Sequence, residues 1–491
     1  MMSQLQTRLQ TQVRALVGSL VGEGSARVQV GALYLLALSA FLAPAGVATA
    51  LVLLWVGLAL GWWQQRGLPP GAQVATAGLW LALGLALWAL LAALLAALAS
   101  TGLATENAAT AWARTGSLSA APTAAYTLDR GLAWAQLAGC VPAAVALGGN
   151  ERRLVRLLLL ALLGLLLGIL WRQDWALLGS DLQRFMISRQ GFGFPAIVFA
   201  LFAGTALLGL LVLRERCWGQ CGGPHRGQRW LLWVLAILAI AQVFVLALSR
   251  GAWLAFLVTL GLAAVLHWRQ RLQQRRQARQ YHPNGSAAGA PAPQRPARAL
   301  ALALALLVIG LNAGPIVDRL GQEWDEVQAI LDSGEAFMPS SSLGYRWQAQ
   351  WFGLARWRER PWLGWGPGAS PLLLARHADE GFLVKDDASL RHLHNTYLEV
   401  LVQLGLIGLL LWLALLLALL RGLAAAVTAS RLSPDLGRFL GLALVFMAVW
   451  GLFDFHALSQ AWRGYWALLA GSALSFALYR DQHRDRSCAS R

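Results

Sequence analysis

Three short stretches hold the residue types that chemistry needs. In LHNTYLEVLVQLGLIGLLLWL, residues 393–413, His394 and Asn395 stand at the mouth of a run so apolar that a bilayer is its natural solvent. An imidazole there titrates near neutrality and can bind phosphate or move a proton, while Asn395 can cap the helix that follows. Glu399 lies one turn further on, where a carboxylate is a functional candidate able to orient His394 or approach an arginine; Tyr397 is a supporting residue on the same turn. In ALSRGAWLAF, Arg250 sits with only a couple of residues between two apolar runs. That position is costly for a cation unless it is paired or hydrated, and snorkelling at a helix end is the plain alternative. The third stretch, GYRWQAQWFGLARWRERPWLGWGPG at 344–368, carries Arg346 beside Arg356, Arg358 and Arg360, and arginines on interfacial helices are commonly solvated or bound to headgroups.

Two guanidinium forks and an imidazole suit a diphosphate, because arginine offers planar bidentate donors to phosphate oxygens. A phosphorylated lipid is its obvious source. Asp454 and His456 are weaker candidates of the same kind. No metal is expected. His392 and His394 alternate at a loop–helix junction with no evident third ligand, and Cys217, Cys221 and His225 offer at most three ligands where a structural zinc site wants four. With Cys140 in an apolar run and Cys488 in the tail, the cysteines make no disulfide framework.

The elements that must position these residues are membrane helices. The 491 residues are 57% hydrophobic and only 13% charged, about half the charged share of a soluble globular protein, and the mean hydropathy is +0.54. Apolar runs recur near 28–45, 47–63, 76–98, 131–148, 154–171, 194–213, 229–248, 252–267, 299–314, 396–420, 437–455 and 460–478, about twelve spans of a length that crosses a bilayer. The first two could form one broken or re-entrant unit. Runs such as LVRLLLLALLGLLLGIL at 154–170 are apolar on all sides, which excludes the alternating strands of a barrel. The net charge of +17 is not a nucleic-acid signature, since the arginines flank the apolar runs and set topology. The N-terminal stretch is amphipathic without a cleavage site and is not a cleaved signal peptide. At 344–368, Trp347, Trp351, Leu354 and Arg358 fall at i, i+4, i+7 and i+11, the spacing of an amphipathic helix in the interface. Pro361 and the glycines at 364, 366 and 368 end that helix in a tight turn.

The run from His394 reads His-Asn, then Gly405 and Gly408 after fixed gaps, and resembles the signature of the bacterial O-antigen ligase and polymerase family. SRGAW at 249–253 and YRWQAQW with RPWLGWGPG at 345–368 resemble recurrent pieces of that family, in the same order. The resemblance implies an all-α, polytopic inner-membrane protein of about twelve transmembrane helices with one large periplasmic loop. It also implies a metal-independent glycosyltransferase without cofactors. Its partners would be a polyprenyl diphosphate-linked glycan donor, a glycan or lipid A core acceptor and membrane lipids. On this basis Arg250 and Arg346 would bind the donor diphosphate, and His394 would activate the acceptor hydroxyl or assist departure of the diphosphate, supported by Asn395, Tyr397 and Glu399. The expected organisation is a cytoplasmic N-terminus at 1–27, eight spans within 28–267, a basic cytoplasmic linker rich in Pro, Ala and Gly at 268–298, and a ninth span at 299–314. A periplasmic loop at 315–395, three spans within 396–478 and a basic cytoplasmic tail at 479–491 complete it. Family members differ as ligases, polymerases or protein-glycosylating enzymes, and some carry the label of bicarbonate transporters. The sequence gives transport little support, since no inverted repeat or matched pair of Gly/Pro-broken spans is evident.

Overall fold

A long apolar chain must satisfy its backbone hydrogen bonds internally, which helices do. The computed structural model describes residues 24–65, 72, 76–100, 124–218, 226–281, parts of 306–328, 342–379 and 391–479. The helices are α1 (24–39), α2 (Pro44–Gln65), α3 (Ala77–Ser100), α4 (Ala124–Ala135), α5 (Cys140–Leu147), α6 (Glu151–Arg172), α7 (Trp175–Ser180), α8 (Leu182–Ile187) and α9 (Ala196–Val212). They continue with α10 (Arg214–Trp218), α11 (Arg226–Leu246), α12 (Arg250–Tyr281), α13 (Ser342–Glu359), α14 (Ala369–Asp379), α15 (Thr396–Thr428), α16 (Pro434–Trp450) and α17 (Gln460–Leu478). No strand forms among the described residues.

Among the described residues, seven segments are long and apolar enough to cross a membrane: Ala45–Gln64, Ala77–Ala99, Ala124–Leu147, Glu151–Arg172, Gly227–Leu246, Arg250–Gln273 and Thr396–Thr428. The chain is a multi-pass membrane protein. The expected spans at 28–45, 194–213, 437–455 and 460–478 are helices too, but α9 and α16 have only 17 residues each, α1 is shorter still, and α17 carries Arg463 and a buried polar pair, Ser472 and Ser475. Half of the span expected at 299–314 lies outside the described residues, as do most of the N-terminal stretch, the Cys221–His225 part of the cysteine loop, most of the 268–298 linker and most of the tail. α12 itself continues to Tyr281, past the expected start of that linker.

The chain divides into two compact units. One comprises Met1–Arg172, Ser340–Leu444 and Asp454–Arg491. At its centre is α17, mostly apolar and almost wholly buried from Trp462 to Leu478. Lipid is as apolar as leucine, so such helices associate through close packing rather than the hydrophobic effect. Trp466 donates to Leu137 O at 2.8 Å and its ring lies 4.9 Å from that of Trp412 on α15. The other unit comprises Gln173–Pro339 and Val445–Phe453. There α9 packs on α11, and Trp450 donates to Ile197 O at 3.2 Å.

The feature that shapes the first unit is a break in α15. Gly405 has φ +69° and ψ −172°, so the helical hydrogen-bond ladder stops and restarts there. The loop after α13 takes up the released groups. Trp365 N donates to Val402 O at 2.8 Å, Gly366 N donates to Gln403 O at 3.1 Å, and Leu406 N donates to Pro361 O at 2.8 Å. Leu404 O accepts from Trp88 Nε1 at 2.9 Å. Irregular backbone inside an apolar helix is tolerable only where protein satisfies it in this way. The loop turns as its glycines imply, with positive φ at Gly364, Gly366 and Gly368. A Cβ on Gly364 would lie 2.7 Å from Gly405 N, so the two glycines permit each other's approach.

This contact yields a stability prediction. Gly405→Ala places a Cβ against the Trp362 carbonyl and forces alanine into a left-handed conformation, at a backbone cost of about 1–3 kcal/mol before the clash is counted. Thermal unfolding in detergent should show a clear loss. Gly441→Ala, where a Cβ meets open space, should leave the midpoint nearly unchanged.

Candidate functional site

The head of α15 is built by capping. Asn395 is extended, and its Oδ1 accepts from Tyr397 N at 3.0 Å and Leu398 N at 3.1 Å, satisfying two of the donors a helix start leaves orphaned. Just before it, His394 has φ +52°, a conformation that costs a non-glycine residue of order 1–3 kcal/mol unless its surroundings impose it. They do so from both sides. Leu393 is fully buried in a cluster with Ala349, Trp365, Leu398 and Val402, and its N–H donates to Glu399 Oε1 at 2.6 Å. On the other side, Thr396 Oγ1 donates to Asp454 O at 2.7 Å.

Glu399 is wholly buried and completely engaged. Its second oxygen accepts from Gln403 Nε2 at 2.6 Å. Gln403 Oε1 in turn accepts from Trp134 Nε1 at 2.9 Å and Gly368 N at 2.8 Å. A buried polar chain therefore ties the His394 turn to the glycine loop. Within it Glu399 braces the backbone before His394, while another carboxylate meets the imidazole.

That carboxylate is Asp454, in the turn after α16 and almost fully buried. His394 Nδ1 lies 3.2 Å from Asp454 Oδ1. His392 Nδ1 is 3.6 Å from the same oxygen, and His456 Nε2 is 3.7 Å from Oδ2. Phe455 N donates to Oδ1 at 2.8 Å and holds the carboxylate in place. Burial alone would raise the Asp454 carboxyl, but its contacts with His394 and His456 keep it well below the usual carboxylate range. Burial, helped by neighbouring His394, pushes the His392 imidazole down to about 3. Asp454 is thus ionised and His392 neutral near pH 7. An ionised Asp454 selects the His394 tautomer with the proton on Nδ1, leaving the Nε2 lone pair to act as a base.

The remaining predicted residues divide between the two units. Arg346, near the start of α13, is close enough for its charge to act on His392. Tyr397 is half-buried on the first turn of α15. Trp347 and Trp351 form an exposed edge-to-face pair, centroids 6.0 Å apart, on the face of α13 opposite the buried Ala349. The segment is a helix, as its spacing implies. Arg250 belongs to the other unit, where it opens α12. A Cβ on the following Gly251 would come 2.6 Å from Phe453 Cβ, a steric reason for glycine after this arginine.

Residues 234–413 match the family described as O-antigen ligase. This segment, somewhat over a third of the chain, is similar to that family. The segment runs from within α11 to within α15 and includes Arg250, Arg346, His394, Asn395, Tyr397 and Glu399. It ends before Asp454 and His456, so the carboxylate that contacts the family segment's histidine comes from outside it. No curated protein matches the chain. Sequence reasoning weighed Asp454 only lightly and did not single out Gln403. The available signal was an acid at the end of an apolar run, 60 residues from His394, and distance along the chain concealed the contact.

The brace role of Glu399 can be tested directly. Glu399→Gln sets an amide with a single acceptor oxygen where Leu393 N–H and Gln403 Nε2 both need one, so one buried donor is left unsatisfied at about 1–3 kcal/mol. Amide exchange across 391–395 should accelerate roughly tenfold or more, while exchange in α17 stays as in the parent protein.

Proposed function

We propose that this protein transfers a glycan from a polyprenyl diphosphate-linked donor to an acceptor hydroxyl at the periplasmic face of the inner membrane, in the manner of an O-antigen ligase. The family similarity supports this class of activity, and the contact of His394 with a buried, ionised Asp454 is the observation that carries the mechanism. Nε2 of His394 takes the acceptor proton as the acceptor oxygen attacks the anomeric carbon. The carbon–oxygen bond to diphosphate breaks with its electron pair leaving on the diphosphate. Asp454 stabilises the imidazolium that forms, and general-base catalysis of this kind contributes roughly 10²- to 10⁴-fold. Arg346 and Arg250 are each proposed as bidentate donors to a diphosphate. Membrane lipids surround the helices, with both termini on the cytoplasmic side by the arginine distribution. A glycan or lipid A core is the acceptor, and nucleic acid has no part.

The test pairs cells with purified protein. In a deletion strain the lipopolysaccharide ladder should disappear while long lipid-linked chains accumulate, and the parent gene should restore it. Accumulation of single repeats would instead make the protein a polymerase, and unchanged glycans in every fraction would refute the reading. In vitro, His394→Ala and Asp454→Asn should each lower transfer by roughly 10²- to 10⁴-fold with unfolding midpoints close to the parent. A folded His394→Ala protein that transfers at the normal rate removes the base from the mechanism.

A further inference from the structure

The site also gathers more imidazole around Asp454 than a catalytic pair requires. The ligand-capable atoms of His392, His394 and Asp454 all lie within 4.8 Å of one another. The sequence showed only two alternating histidines; the fold supplies the third ligand from the turn after α16. Bound to a tetrahedral ion with bonds of about 2.0–2.1 Å, neighbouring ligand atoms stand roughly 3.4 Å apart. The two histidine nitrogens lie 3.2 and 3.6 Å from Asp454 Oδ1, so small side-chain rotations would close such a site. His392 Nδ1 is buried and makes no hydrogen bond, although an unpaired buried polar atom ordinarily costs about 1–3 kcal/mol. The rings of His392 and His394 are 4.1 Å apart, and His456 approaches the far oxygen of Asp454 at 3.7 Å, placed to orient the carboxylate or to become a fourth ligand. Imidazole nitrogens with one carboxylate suit a borderline ion such as zinc, whereas magnesium prefers oxygen ligands.

We propose that His392, His394 and Asp454 bind a zinc-class divalent ion, and that its binding blocks His394 from acting as a base. Coordination at His394 Nδ1 releases that nitrogen's proton to solvent and replaces the hydrogen bond to Asp454. The ring then shares the charge of the ion, and its Nε2 lone pair loses basicity. Binding of the ion is independent of the transferase reading, whereas inhibition rests on it.

The experiment uses the full chain, without a histidine tag, in lipid nanodiscs. Zinc retained after dialysis is measured by elemental analysis, and binding is followed by cobalt(II) absorption. The expected result is one equivalent of zinc and a tetrahedral cobalt spectrum. His392→Ala should abolish retention, His456→Ala should weaken it roughly tenfold as expected for an orienting neighbour, and Cys217→Ser with Cys221→Ser should leave it intact. No retained zinc, or equal retention by His392→Ala, overturns the site. If His392→Ala does not fold, X-ray absorption of the zinc-loaded parent decides: a nitrogen and oxygen shell with imidazole scattering supports the site, and sulfur ligands overturn it. Zinc should also suppress glycan transfer by the parent at least tenfold. Zinc bound at these histidines with full activity retained would keep the site but overturn the block, and with it the role of His394 as base.

Discussion

Much of the first unit depends on one unfavourable event, the break in α15 at Gly405. A helix interrupted in apolar surroundings exposes carbonyls that lipid cannot satisfy. The loop at 361–366 lends its own N–H groups to Val402 and Gln403 and receives Leu406 N in return. The break and the loop therefore stabilise each other, and each conformation is possible only with glycine at the point of closest approach. The consequence reaches the chemistry, because the short segment of α15 before the break carries Asn395, Glu399 and Gln403. Its position against α13 and the glycine loop is set by backbone hydrogen bonds rather than by side-chain packing alone.

From that platform, successive buried polar contacts hold His394 in an otherwise costly conformation. Gln403 links Trp134 and Gly368 to Glu399, Glu399 holds Leu393 N, and Thr396 reaches Asp454 O. A buried polar network is favourable only when its members are satisfied, and it then specifies a single arrangement. The two acids divide the work. Glu399 positions backbone, while Asp454 positions imidazole.

On the proposed reading, the same crowding would give the site two chemistries that exclude each other. With a proton on Nδ1, His394 is oriented by Asp454 and presents Nε2 outward. With a metal ion in place of that proton, the same nitrogen and the same carboxylate would become ligands and would quench the proposed base. The neutrality of buried His392 near pH 7 adds a nitrogen lone pair beside them without adding charge.

The residues by themselves determined the membrane character, the helical class, the cap at Asn395, the helix of α13 and the turn through Gly364, Gly366 and Gly368. Each of these follows from local composition, periodicity or backbone preference, which need no distant partner. They also marked His394, Arg250 and Arg346, because charge beside an apolar run is conspicuous in one dimension. Only the tertiary structure decided that Asp454 rather than Glu399 meets His394, that His392 and His456 join the same carboxylate, and that α15 breaks where the glycine loop can satisfy it. Most of those contacts join segments tens of residues apart, and an acid's position along a helix does not reveal which way its carboxylate turns.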